Sequence, residues 1–484
     1  MAKAVMLQGT GSDVGKTVLV AGLCRLAANQ GLKVRPFKPQ NMSNNAAVAD
    51  DGGEIGRAQW LQALAARVPS SVHMNPVLLK PQSETGSQII LQGKVFGQAK
   101  GRDYQRLKPQ LLSAVLESFE MVKEGADLVI VEGAGSPAEI NLRAGDIANM
   151  GFATRAGVPV VLVGDIDRGG VIASLVGTHT ILPQEDRRQI VGYIINKFRG
   201  DVSLFDDGIA AIGRFTAWPC FGVIPWLKAA GRLPAEDSVV LERLATGREA
   251  ALKVAVPVLS RIANFDDFDP LAGEPDVELV FVRAGERLPA DAGLVILPGS
   301  KSTIGDLETL RANGWDADIA GHARRGGRVI GICGGYQMLG RTVADPLGLE
   351  GESRTVKGLG LLDVDTVMAP EKTVRNSQAH SLEFDVALSG YEIHLGVTEG
   401  PDCQRAAVTI ESYPDGARSP DGRVMGTYLH GLFSSDAYRR QLLESFGIRG
   451  GGRDYRLDVD NALDELAQEL KSRLSVDWLR QWLG

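Results

Sequence analysis

The chain has 484 residues, more than one hydrophobic core usually organises, so two domains are expected. Its formal net charge of −7, with 44% hydrophobic and 23% charged residues, fits a globular protein and excludes a general nucleic-acid binder, which needs a basic face. Four widely spaced cysteines exclude a disulfide framework and a paired-cysteine zinc site, and no apolar run is long enough for a signal peptide or membrane span; a cytoplasmic enzyme without nucleic-acid or membrane partners is expected.

In the first half, short β-rich apolar runs alternate with longer helical patterns: AVMLQ from Ala4, KVRPF from Lys33, DLVIVEG from Asp127, VPVVLVGD from Val158 and IVGYIINK from Ile190. This alternation predicts an α/β fold with a doubly wound parallel sheet and ligands at the carboxyl ends of its strands.

The first of these strands runs into Gly9, Thr10, Gly11, Ser12, Asp13, Val14, Gly15, Lys16 and Thr17, and an apolar helix follows. Glycines let backbone N–H groups turn onto phosphate oxygens, Lys16 adds a point charge, and Thr17 offers a hydroxyl to Mg²⁺. The spacing departs from the standard phosphate loop, because Thr10 stands where its first glycine belongs and Gly9 lies one residue earlier.

KPQNMSNN follows the second strand and so faces the same edge. Lys38 and the amides of Gln40, Asn41, Asn44 and Asn45 are candidates to hydrogen-bond a substrate rich in carboxylates and carboxamides, with Arg57 and Lys80 as further candidates. Mg²⁺ needs hard oxygen ligands beyond Thr17. Glu132, directly after a buried strand, is one candidate; Asp51 is another, with Asp50 its competitor. Asn196 ends the last strand of the series and is a candidate reader of the adenine edge.

The pattern lapses into a charged stretch, assigned as a linker over 229–251, and a second α/β series begins: KVAVPVLS, VELVFVR, GLVILPGS, GRVIGICGG and GRVMGTYLHGLF. In GRVIGICGGYQMLG, a strand turns tightly into a helix at Cys333, as in a nucleophile elbow, where the next backbone N–H, here of Gly334, helps bind an oxyanion. A thiol nucleophile needs a base, for which His430 and His394 compete; Cys24, Cys220, Cys403, His73, His179, His322 and His380 read as structural. The tail carries apolar residues at helical spacing in AYRRQLLESF and NALDELAQELKSRL. The expected division is an ATP-dependent domain over 1–228, the linker, a thiol domain over 252–435 and a helical extension over 436–484.

LPGSKST, GICGGYQ and GTYLHGLF together resemble the class I glutamine amidotransferase family. The resemblance implies that Cys333 attacks the side-chain amide of glutamine and releases ammonia, that His430 is the base, that Gly299 and Gly334 form the oxyanion region and that Gln337 neighbours the bound glutamine. That family carries Glu two residues after the histidine, whereas this chain has Leu432, so the base is expected to be less well poised and glutamine hydrolysis to depend on the other site.

The first half resembles the dethiobiotin synthetase group, which shares the stretched loop and activates a carboxylate with ATP. With KPQNMSNNA, EIGRAQ, MNPVLLKPQSETGSQIILQGK, EGAGSPAEINL, GDIDRGG and INKFRGD added, almost the whole chain is similar to the cobyric acid synthase family of the cobalamin pathway. The resemblance implies two α/β domains acting on small molecules: ATP with Mg²⁺, L-glutamine and a corrinoid acid whose b, d, e and g carboxylates become amides. Because ammonia must stay un-ionised to attack, a shielded passage from Cys333 to the ATP site is expected.

Overall fold

A computed structural model describes residues 2–82, 86–234, 250–450 and 452–483. The five apolar runs of the first half form strands of one six-stranded parallel sheet, ordered Cys220–Pro225, Ile190–Phe198, Val160–Asp165, Lys3–Gly9, Leu128–Glu132, Val34–Phe37. Leu128–Glu132 and Val160–Asp165 are buried along their whole length, which is why they read as continuous apolar runs rather than alternating ones. Lys3–Gly9 lies between them, so the glycine loop leaves the centre of the sheet. Its start is fixed by Thr10 N–H donating to Val163 O at 3.0 Å, while Gly133 N–H donates to Leu7 O at 2.8 Å.

The second half repeats the architecture. Val277–Val282, Leu252–Pro257, Leu294–Leu297, Arg328–Ile332 and Val424–Thr427 pair in parallel, and Ala417–Arg418 adds an antiparallel edge. The chain is therefore built on two α/β domains with parallel sheets. A long antiparallel hairpin, Asp365–Ser381 with Val386–Glu399, belongs to a separate sheet and buries Ala379 and Leu388 in the second core. It joins the second sheet's active edge through paired backbone hydrogen bonds between Tyr391 and His430, at 2.9 and 3.2 Å.

The halves meet across a short ribbon, Ala46–Val48 with Glu54–Gly56, that sequence periodicity does not announce. Ala46, Val48, Leu78 and Ile90 of the first half form one buried apolar cluster with Tyr391 and Ile393 of the hairpin. Most of the expected linker, 235–249, lies outside the described residues.

The tail divides between the two cores. Helix Asp436–Glu444 buries Tyr438, Leu442 and Leu443 in the second core. Helix Tyr455–Arg473 returns to the first half, where Leu463, Leu466 and Leu470 join Leu19, Leu23 and Leu26 of helix Lys16–Asn29. Among the described residues no helix is long and apolar enough to cross a membrane.

Candidate active sites at the phosphate loop and the thiol

The glycine loop opens onto a cavity of ≈ 960 Å³ whose walls include Lys16, Thr17, Lys38, Gln40, Asn41 and Glu132. Thr17 Oγ1 donates to Glu132 Oε1 at 2.8 Å, Lys38 Nζ lies 2.9 Å from the same oxygen, and Gln62 Nε2 donates to Glu132 Oε2 at 2.5 Å. The ends of two strands and two helices thus gather a hydroxyl, an ammonium and an amide around one carboxylate, Glu132 standing at the strand end where the sequence puts it. Gln62 was missed; it sits on helix Arg57–Ala65, whose mixed pattern gives no sign of which face meets the phosphate edge.

Other candidates are placed differently. Asp51 turns away: its carboxylate accepts from Val72 N–H at 3.0 and 3.3 Å, and it does not line the cavity. Asp50 is likewise engaged, with Ser70. Asn196 Nδ2 donates to Val14 O at 2.8 Å, so this buried amide braces the glycine loop from behind. Asp13 and Gly15 take left-handed conformations, φ 55° and 93°, which curl that loop.

Of KPQNMSNN, only Lys38, Gln40, Asn41 and Met42 reach the cavity. Gln40 accepts from the Tyr104 hydroxyl and Asn41 donates to Gln59 Oε1 at 3.1 Å. Asn44 does not reach it, and Asn45 accepts from Phe265 N–H at 3.3 Å, docking onto the other half.

Cys333 stands between strand Arg328–Ile332 and helix Gly334–Leu339 with φ 53°, a strained value for a side-chain-bearing residue. The turn closes because Gly335 has no Cβ; one there would lie 2.1 Å from Leu297 O. Cys333, Gly299, His430, His394 and Gln337 line a second, smaller cavity of ≈ 40 Å³. Gln337 is buried and tied down: it accepts from Thr303 Oγ1 at 2.8 Å and donates to Leu395 O at 2.8 Å.

Both competing histidines reach the thiol cavity, but only His430 carries an orienting carboxylate at hydrogen-bond distance. Its Nδ1 lies 2.7 Å from Asp267 Oδ2, both groups are buried, and Gly431 N–H donates to Asp267 Oδ1 at 2.7 Å. Burial disfavours the imidazolium, but Asp267 beside it, with Cys333 adding to the effect, holds the His430 pKa up to about 10. His394 instead stacks on Tyr428, ring centroids 3.8 Å apart. The expectation of a poorly poised base is corrected: Leu432 is core, and the acid comes from the turn Phe265–Phe268. The only sequence signal for it is the acidic run FDDFD; nothing local links that run to a histidine so far downstream.

Arg57 and Lys80 lie outside the large cavity. Arg57 pairs with Asp266 at 2.7 Å, next to Asp267. Lys80 lines the thiol cavity and pairs with buried Glu54, which Lys372 also holds. Burial opposes the charge on Glu54, but the two lysines keep its carboxyl well below the usual range; burial, with Lys372 and Lys80 nearby, lowers Lys301 to about 7.

Residues 5–240 match the CobQ/CobB/MinD/ParA nucleotide binding domain and residues 253–438 the CobB/CobQ-like glutamine amidotransferase domain. Cobyric acid synthases of Sinorhizobium fredii and Rhizobium leguminosarum bv. trifolii are each 78% identical over 484 residues, covering 100% of this chain and of theirs. Among solved structures, the Aquifex aeolicus MinD cell division protein aligns at 17% identity and a TM-score of 0.28, covering 46% of this chain and 82% of that one. With a phosphate loop and a thiol site on one chain and full-length relatives at this identity, the protein belongs to the cobyric acid synthase family.

Proposed function

We infer that this chain is a glutamine-hydrolysing ligase of cobalamin biosynthesis, converting the b, d, e and g carboxylates of adenosylcobyrinic acid a,c-diamide to amides. The observation that carries this reading is the pairing, in one chain, of a thiol beside a carboxylate-oriented imidazole with a phosphate loop beside Glu132.

A carboxylate resists ammonia because its carbonyl is electron-rich and its leaving group poor; transfer of the ATP γ-phosphoryl group to it corrects both. Lys16 and the loop N–H groups are placed to steady the charge of the moving phosphoryl group. The Thr17 hydroxyl and Glu132 carboxylate fit Mg²⁺, being hard oxygen donors 2.8 Å apart at the cavity edge; among the described residues no cluster of three acidic, His or Cys side chains offers a protein-only cage. Held by these two groups, Mg²⁺ would offset phosphate charge. Lys38, Gln40 and Asn41 line the same cavity, which supports their meeting the polar rim of the corrinoid.

At the other site, Cys333 Sγ attacks the glutamine Cδ, the developing oxyanion falls to the Gly334 and Gly299 region, and His430 holds the thiol proton before passing it to departing ammonia. Asp267 fixes the imidazole tautomer by accepting from Nδ1, leaving Nε2 for this work. Water then cleaves the thioester. The segment 263–273 borders both cavities, with Asn264 on the thiol side and Asp269 and Pro270 on the ATP side, which supports a short route for ammonia along it.

The test is mass spectrometry of adenosylcobyrinic acid a,c-diamide incubated with protein, ATP, Mg²⁺ and glutamine, with cobyrinic acid in parallel. Stepwise conversion of the diamide alone to the hexaamide is expected; amidation of cobyrinic acid alone would assign the chain to a and c amidation instead. Cys333→Ser should abolish synthesis from glutamine and retain synthesis from free ammonia at high pH. Loss of both would refute the division of labour.

A further inference from the structure

Arg57 opens helix Arg57–Ala65 in the ATP-binding half, yet its guanidinium serves the other half. Nη2 lies 2.7 Å from Asp266 Oδ2, and both side chains are buried or nearly so. Asp266 and Asp267 are neighbours on the short turn Phe265–Phe268, one carboxylate facing Arg57 and the other His430. The same guanidinium sits 5.9 Å from the Tyr391 ring centroid, and that ring stacks on the His430 imidazole at 5.0 Å and 12°. One cation therefore touches both supports of the imidazole, the turn bearing its acid and the ring against its face.

Other contacts hold that turn from the same half. Asn45 Oδ1 accepts from Phe265 N–H, and Ala46 N–H donates to Asn264 Oδ1 at 3.0 Å. Asn264 itself lies left-handed at φ 53°, its Nδ2 3.4 Å from His430 Nε2. A turn entered through a strained residue keeps its geometry only where neighbours over-determine it. A bridge serving stability alone would be poorly served by a buried ion pair, whose desolvation cancels most of its attraction. Arg57 Nε and Asp266 Oδ1 even remain without hydrogen-bond partners.

We propose that Arg57 is a positioning residue of the thiol site contributed by the ATP-binding half: it holds the turn that presents Asp267 to His430, so that glutamine hydrolysis is competent only when the halves are docked. This rests on Cys333, His430 and Asp267 acting as described under the proposed function.

The test measures glutamine-dependent and ammonia-dependent amidation in the same preparation, together with kcat and KM for glutamine hydrolysis. For Arg57→Ala the ratio of glutamine-dependent to ammonia-dependent rate should fall by about tenfold or more, through kcat, with KM for glutamine within about twofold. Arg57→Lys, which keeps the charge and loses the planar fork, should recover part of the loss; Asp266→Asn should reproduce Arg57→Ala. Misfolding lowers both rates together and leaves the ratio unchanged, so an unchanged ratio in Arg57→Ala and Asp266→Asn overturns the proposal. So does a change confined to KM, which would make Arg57 a glutamine-binding group. Cys333→Ser in the same assay separates the two readings. If it keeps glutamine-dependent synthesis, the thiol site itself is misassigned; if it loses that synthesis while the Arg57→Ala ratio holds, only the role of Arg57 falls.

Discussion

The imidazole of His430 shows how far a residue's chemistry depends on its neighbours. Asp267→Asn keeps the shape and removes the charge that selects the tautomer, so kcat for glutamine hydrolysis should drop by about 10²–10⁴-fold with little change in KM, read by glutamate release. The same pair sets a pH dependence. The His430 pKa rises from about 6.5 in the unfolded chain to about 10 when folded, so its stabilisation is complete below about 6.5 and is lost as pH rises through about 10. The melting-temperature gap between the protein and Asp267→Asn, followed by calorimetry from neutral to alkaline pH, should narrow across that upper range; a gap that stays constant would deny the pairing. At this scale Cys333, Lys16, Thr17 and Glu132 were legible, since strand, turn and residue type coincide within a few positions. Asp267 and Gln62 were not, because a side chain's partner across the fold leaves no local trace. Asn196 was legible only as a strand-end amide; its hydrogen bond to the loop backbone was not.

Among the elements, the alternating apolar runs that predict strands all lie in the two parallel sheets, because strands buried on both faces announce themselves by composition. The long hairpin was not read, although it forms one wall of the thiol cavity; its burial is irregular along both strands, with a register shift between Val367 and Lys372. Gly390 sits where the hairpin crosses the active edge, and a Cβ there would lie 2.0 Å from His430 O. The tail was legible as helices, but which core they serve was not. Leu466 on helix Tyr455–Arg473 is fully buried against helix Lys16–Asn29, so Leu466→Ala should cost about 2–5 kcal/mol. Denaturant unfolding should show that loss in the transition of the ATP-binding half; a cost below about 0.5 kcal/mol would mean the helix is not part of that core.

For the whole molecule, one segment, 263–273, borders both cavities, and the turn within it is held by both halves. Ammonia released at Cys333 should therefore reach the acyl phosphate without mixing with solvent. With ¹⁵N-amide glutamine and an equimolar pool of unlabelled ammonium at neutral pH, the new amides should carry mostly label by mass spectrometry; equal incorporation would mean an open route. The two α/β halves, the phosphate loop and the thiol turn can be read from the chain alone, because each is specified by adjacent residues whose spacing matches strand and helix periods. The fold alone settles that Asp267 pairs with His430, that Arg57 and Lys80 lie outside the large cavity, and that the tail splits, helix Asp436–Glu444 joining the second core and helix Tyr455–Arg473 the first. Each of those outcomes pairs groups far apart in the chain, where packing and charge neutralisation in a buried interface, not local pattern, select the partner.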